Sequence, residues 1–175
     1  MGKIKKNILI TGCSSGIGRD AAIALHSKGW RVLATCRSKS DCKYFEKFGI
    51  ESFPLDLSDE ESISSAVKII TQKTSGKLDA MFNNGAFATP GAIQDLPRPA
   101  IREIFEVNVF GQFDLINRCF PLLLSTKDPR IVNCSSVLGF ISLPYRGVYS
   151  ATKFALEALT DAMRRENYNT PLKII

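Results

Sequence analysis

Short apolar runs alternate along this chain with longer stretches in which apolar residues recur every three or four positions. The runs predict strands over residues 7–11, 31–36, 51–55, 78–83 and 130–135, and a last one opening at Leu172. The longer stretches predict helices over 16–27, 39–48, 59–73, 99–124 and 147–166. Asp59 stands at an N-cap position, with Ser62 in place of the Glu or Gln that would complete a reciprocal capping box. Strand and helix in strict alternation build βαβ units. The fold class expected is therefore α/β, a doubly wound parallel sheet with helices on both faces.

No repeat, low-complexity stretch or Pro/Gly-rich linker interrupts the alternation, so residues 1–175 are read as one domain. That length buries about 70% of the unfolded chain's surface, enough for one sizeable core. The last strand has barely begun when the chain stops at Ile174-Ile175, and the expectation is a sheet truncated at its sixth strand.

Composition narrows the function classes. The chain is 45% hydrophobic and 23% charged, close to ordinary globular proportions. Its net charge of +6 is scattered except for Lys3, Lys5 and Lys6, whereas nucleic-acid binding needs a basic patch or stripe. No nucleic-acid partner is expected. Cys13, Cys36, Cys42, Cys119 and Cys134 show no Cys-x-x-Cys or other metal-ligand spacing, so reduced thiols, a cytoplasmic location and no metal are expected. The apolar run at 8–10 is too short for a signal peptide core or a membrane span.

The first strand leads into Thr11-Gly12-Cys13-Ser14-Ser15-Gly16-Ile17-Gly18 and then an alanine-rich helix. A helix N-terminus offers unpaired N–H groups and a positive dipole end to a pyrophosphate, and glycines let the backbone come close. Gly12 is assigned the turn, Gly16 the close approach and Gly18 the helix-to-strand contact. The spacing, three residues between the first two glycines, departs from Gly-x-Gly-x-x-Gly and from the Lys-containing P-loop. An acid at the end of the second strand marks NAD in dinucleotide folds. Here Arg37 follows Cys36, which favours a 2′-phosphate and so NADP over NAD. Asp56, after the third strand, is placed to accept from the adenine amino group.

Tyr149 and Lys153 lie four apart on one helical face. A phenol that must exchange a proton gains from an ammonium one turn away. Upstream, a strand runs into Ser135-Ser136, where sites in open α/β sheets are built. The lone His26 lies in the first helix, far in sequence from these residues. That disfavours Ser-His-Asp catalysis, and the absence of a His/Cys cluster disfavours a zinc dehydrogenase.

Thr-Gly-x-x-x-Gly-Ile-Gly, an Asn-Asn-Gly segment after the fourth strand, Asn108, Ser136 and Tyr149-x-x-x-Lys153 together resemble the short-chain dehydrogenase/reductase family. The resemblance implies a Rossmann-type domain and hydride transfer between NADP(H) and a small apolar aldehyde, ketone or alcohol. Its loops look closest to the aldehyde, retinoid and hydroxysteroid branch, with Phe87, Ile93, Leu138, Phe140, Ile141, Leu143 and Tyr145 as candidate pocket residues. By the same resemblance Tyr149 is acid or base, Lys153 favours its phenolate and holds the nicotinamide ribose, Ser136 orients the substrate oxygen, and Asn108 supports a relay water. Cofactor contacts are implied for Gly12, Ser14, Ser15, Gly16, Ile17, Gly18, Arg37, Asp56, Leu57, Asn84 and Gly85, besides Tyr149 and Lys153. A homo-oligomer, dimer or tetramer, is implied as well.

One departure from the family pattern is local. Its Asn-Asn-Ala-Gly reads Asn83-Asn84-Gly85-Ala86 here, so Ala86 would be strained if a positive φ were required at that position. Two rivals stand beside the enzyme reading. One is a non-catalytic NADP-binding sensor or inactive fragment. The other is the sugar-nucleotide epimerase group, which favours two residues, not three, between its first glycines.

Overall fold

The computed structural model describes residues 6–175; Lys3 and Lys5 lie outside the described residues. Six strands, β1 (Asn7–Ile10), β2 (Arg31–Cys36), β3 (Glu51–Pro54), β4 (Ala80–Asn83), β5 (Arg130–Asn133) and β6 (Lys173–Ile174), form one sheet in the order β3-β2-β1-β4-β5-β6. Every pairing is parallel. This is the strand order of dinucleotide-binding sheets, with its reversal between β1 and β4.

Alternation along the strands divides the core. Leu9, Leu33, Met81 and Ile131 pack with α3 (Glu60–Thr74) and α5 (Gly111–Leu124). Ile8, Ile10, Val32, Ala34 and Ala80 form a second cluster with α1 (Gly16–Ser27) and α2 (Lys39–Lys43). Both strand faces are thus covered, which is why the strands read as continuous apolar runs.

The first and last predicted helices match α1 and α6 (Gly147–Glu166) residue for residue. Two others are shorter or broken. The stretch 39–48 holds only the five residues of α2 and then a 3₁₀ turn at Glu46–Phe48. The stretch 99–124 divides into α4 (Arg98–Phe105), a π-helical turn at Glu106–Phe110, and α5. At the break the Gly111 N–H donates to the Glu106 carbonyl, five residues back. A π-turn inserts one residue into the helical ladder, and such turns gather at functional sites.

Asp59 does cap α3, accepting from the Glu61 N–H at 2.9 Å. Ser62 reaches back further than a capping box would, its hydroxyl accepting from the Asp56 N–H at 2.9 Å. The start of α3 thereby holds the loop that carries Asp56 and Leu57. Among the described residues no helix is long and apolar enough to cross a membrane.

Candidate active site

Where the strand order reverses, the β1–α1 turn and the loop after β4 are stitched together. The Thr11 hydroxyl accepts from the N–H groups of Asn84 and Gly85 at 3.0 and 2.9 Å. Asn84 Nδ2 donates in return to the carbonyls of Thr11 and Gly12, each at 3.1 Å. Gly12 has φ +68°, and a Cβ there would stand 2.6 Å from the Cα of Gly85. The two backbones touch, and only hydrogens fit between them. Neither Gly85 nor Ala86 has a positive φ, so the exchanged Gly-Ala order carries no strain at Ala86. A Cβ on Gly85 would stand 3.1 Å from Leu57 Cδ1 and 3.2 Å from the Thr11 hydroxyl, so glycine there eases the fit and answers no dihedral need.

Gly18, assigned a helix-to-strand contact from the sequence, instead packs against the turn, a Cβ there falling 2.5 Å from the Gly12 carbonyl oxygen and from Asn84 Nδ2. Gly16 has φ +54°, and an added Cβ there would meet no side chain and no backbone beyond its own helix turn within 4 Å, so within the protein its requirement is the left-handed conformation. Ser15 precedes α1 without making a side-chain cap, and the first turn contains no acid. The leading N–H groups of α1 are therefore available to an anion. Ser15, Gly16 and Ile17 are exposed there.

Beside this turn lies a cleft lined by Gly12, Ser14, Arg37, Asp56, Leu57 and Gly85 among the expected cofactor residues, and by Thr11, Thr35, Asp41, Leu55, Ala86, Phe87 and Val107 besides. Arg37 is exposed and has no ion-pair partner among the described residues. Asp41, which sequence reasoning passed over, accepts from the Ser38 hydroxyl at 2.8 Å. Asp56 uses Oδ1 in a turn, accepting from the Ser58 N–H and hydroxyl at 2.9 and 2.7 Å.

The other candidates gather at α6 and the end of β5. Lys153 is 2% exposed, and its Nζ donates to the Cys134 carbonyl at 2.7 Å and lies 5.7 Å from the Tyr149 ring centroid. Burial holds its ammonium below the ordinary lysine range, against smaller opposing effects of Cys134 and Glu157. Ser136 stands at the head of a 3₁₀ turn, its hydroxyl accepting from the Leu138 N–H at 3.1 Å. The neighbouring Ser135 hydroxyl is buried without a partner.

Asn108, buried in the π-turn, has both side-chain protons engaged. Oδ1 accepts from the Phe87 N–H at 3.0 Å, while Nδ2 donates to the Phe87 carbonyl at 2.8 Å and to the Thr152 hydroxyl at 3.1 Å. No side-chain proton remains for a water, so the side chain could hold one only by accepting at the second lone pair of Oδ1. Phe87 and Val107 also line the cleft, so Asn108 joins its wall to α6.

Sequence reasoning missed Thr11, Asp41, Gly111, Gln112 and Thr152. Gln112 Nε2 donates to the Gly85 carbonyl at 2.8 Å, and a Cβ on Gly111 would lie 1.8 Å from the Leu57 carbonyl oxygen. Thr11 opens the glycine motif and Thr152 lies inside Tyr149-x-x-x-Lys153, and that placement was the one signal available, with no role attached to either.

Residues 6–175 match the family described as short chain dehydrogenase. An uncharacterized oxidoreductase of Escherichia coli, YbbO, is 39% identical over 174 residues, which are 99% of this chain and 65% of that protein. The chain thus spans about 65% of the length of this relative. A short-chain dehydrogenase from Streptomyces avermitilis superposes with a TM-score of 0.94 at 29% identity, over 99% of this chain and 65% of that one. ElxO, in a structure with NADP bound, superposes with a TM-score of 0.90 at 27% identity, over 98% of this chain and 71% of that one. The chain belongs to the short-chain dehydrogenase/reductase family of oxidoreductases.

Proposed function

We propose that this chain is the NADP-binding and catalytic domain of an oxidoreductase that interconverts an apolar aldehyde or ketone with its alcohol, using Tyr149 as acid and base. The observation that carries this reading is a linked pair of features: Lys153 Nζ lies 5.7 Å from the Tyr149 ring on α6, and Asn108 ties that helix to Phe87 in the wall of the cleft beside a turn whose leading N–H groups carry no side-chain cap.

The residues present fit NADP. The α1 N-terminus suits a pyrophosphate, Asp56 and Leu57 suit the adenine side of the cleft, and Arg37 suits a 2′-phosphate. The NADP carried by ElxO supports the same choice. When bound, the nicotinamide supplies or accepts the hydride. Tyr149 then donates its proton to the substrate oxygen in reduction and withdraws it in oxidation. Ser136 orients that oxygen, and Lys153 stabilises the phenolate. The exposed Phe140, Ile141, Leu143 and Tyr145 form the apolar rim that selects the substrate. Phe154 and Leu159, exposed on α6, and Phe110, exposed in the π-turn, suit burial against a second copy of the chain.

The test is a fluorescence titration with NADPH and NADH, followed by turnover assays on apolar aldehydes and ketones with this chain and its Tyr149→Phe variant. Tight NADPH binding, with turnover lost in the variant, is the expected result. Binding without turnover by the unaltered chain assigns a regulatory or incomplete module, and no nucleotide binding removes both readings.

A further inference from the structure

Thr152 is wholly buried on α6, between Tyr149 and Lys153 in the next turn. A threonine inside a helix commonly satisfies its hydroxyl on the carbonyl one turn back, and Thr152 does so, donating to the Tyr149 carbonyl at 2.7 Å. The second bond is the unusual one. The same oxygen accepts from Asn108 Nδ2 at 3.1 Å, across 44 residues of sequence. A hydroxyl has a single proton, so its orientation is settled: it gives to Tyr149 and receives from Asn108.

Asn108 in turn holds both backbone groups of Phe87. Three elements therefore meet through two side chains: the loop after β4, the π-turn and the helix that carries Tyr149 and Lys153. The nucleotide turn is held separately, by Thr11 and Asn84.

We propose that Thr152 is a positioning residue, whose hydroxyl sets the register of Tyr149 and Lys153 against the π-turn and the cleft wall at Phe87. The proposal rests on the reading of Tyr149 and Lys153 as the reacting pair. Valine has the shape of threonine without the hydroxyl. In Thr152→Val one Asn108 amide proton is left without an acceptor in a fully buried place, and the contact must rearrange.

Three variants decide the matter: Thr152→Val, Thr152→Ser and the Tyr149→Phe control. Thr152→Val is expected to lower kcat by about tenfold, the rate equivalent of about 1.4 kcal/mol, with the substrate KM and NADPH affinity within about twofold of the unaltered chain. Thr152→Ser keeps the hydroxyl and is expected to restore kcat. A kcat unchanged in Thr152→Val overturns the proposal, and so does an equal loss in Thr152→Ser, because the methyl would then be the group that matters.

Amide exchange at Phe87 reads the same contact without turnover. It is expected to quicken in Thr152→Val and not in Thr152→Ser. Unchanged exchange overturns the proposal even where activity falls. If the unaltered chain shows no turnover, the proposed function fails, and Phe87 exchange still decides whether Thr152 holds the π-turn.

Discussion

Lys153 donates from Nζ to the carbonyl oxygen of Cys134 at 2.7 Å, fastening α6 to the end of β5 with a buried charge. That bond only partly offsets the lost hydration, and burial lowers the pKa of Lys153 from its ordinary 10.5. A lysine in the unfolded chain keeps its proton to higher pH than this folded one. Between the two values the unfolded state binds more protons, so this group's contribution to stability rises with pH. Lys153→Met lacks that slope. In thermal melts taken from about pH 7 to about pH 10, spanning the approach to the lysine range, the unaltered chain is expected to gain on the variant as pH rises. A constant difference would show that Lys153 is not desolvated.

Gly111 and Gly16 are both glycines of necessity, for opposite reasons, and alanine separates them. Gly111→Ala drives a Cβ into the Leu57 backbone, where no side chain can yield. A loss of about 2–4 kcal/mol in urea unfolding is expected, as for severe overpacking, with weakened NADPH binding because Leu57 lines the cleft. Gly16→Ala meets no side chain and no backbone beyond its own helix turn and strains only the backbone at φ +54°, so a loss of about 1–2 kcal/mol is expected.

Arg37 and Asp41 line the same cleft with opposite charge. Arg37→Ala is expected to weaken NADPH binding by about 10- to 100-fold, the value of a charge-assisted hydrogen bond, and to leave NADH binding nearly unchanged. Asp41→Asn removes a negative charge from the lining and is expected to tighten NADPH binding. Parallel titrations with the two nucleotides check both. Equal effects on NADH would place these residues away from the 2′-phosphate.

The thiols are expected to be largely inert in the native protein. Burial pushes Cys13 and Cys119 up to about 12 and raises Cys36 and Cys42 as well. Cys134 alone is not buried. A thiol-specific reagent at neutral pH is expected to modify Cys134 at most, and all five cysteines in denaturant. Rapid native labelling of Cys13, Cys36 or Cys42 would show that the nucleotide end opens.

Much of the fold was legible because its signals are local. The buried strand β2 is an apolar run at its exact bounds, and α1 and α6 keep the helical period from first residue to last. Asp59 announced the start of α3. The π-turn at Glu106–Phe110 left no such mark, since the apolar period runs on through it and the extra residue answers to bonds made elsewhere, by Asn108 to Phe87 and Thr152. Ser62 was read as a missing half of a capping box, whereas its partner is Asp56, six residues back in a loop whose path only folding defines.

The sequence by itself determined the alternation of strand and helix, the family, and the residues that carry its motifs, because hydrophobic period, turn glycines and Tyr-x-x-x-Lys spacing act over a few residues. Only the tertiary structure decided which backbones touch. Gly12 against Gly85, Gly111 against Leu57, and Asn108 against Thr152 join positions far apart in the chain. At those contacts the requirement is room for a hydrogen or the presence of one hydroxyl, and it exists only once packing has brought the partners together.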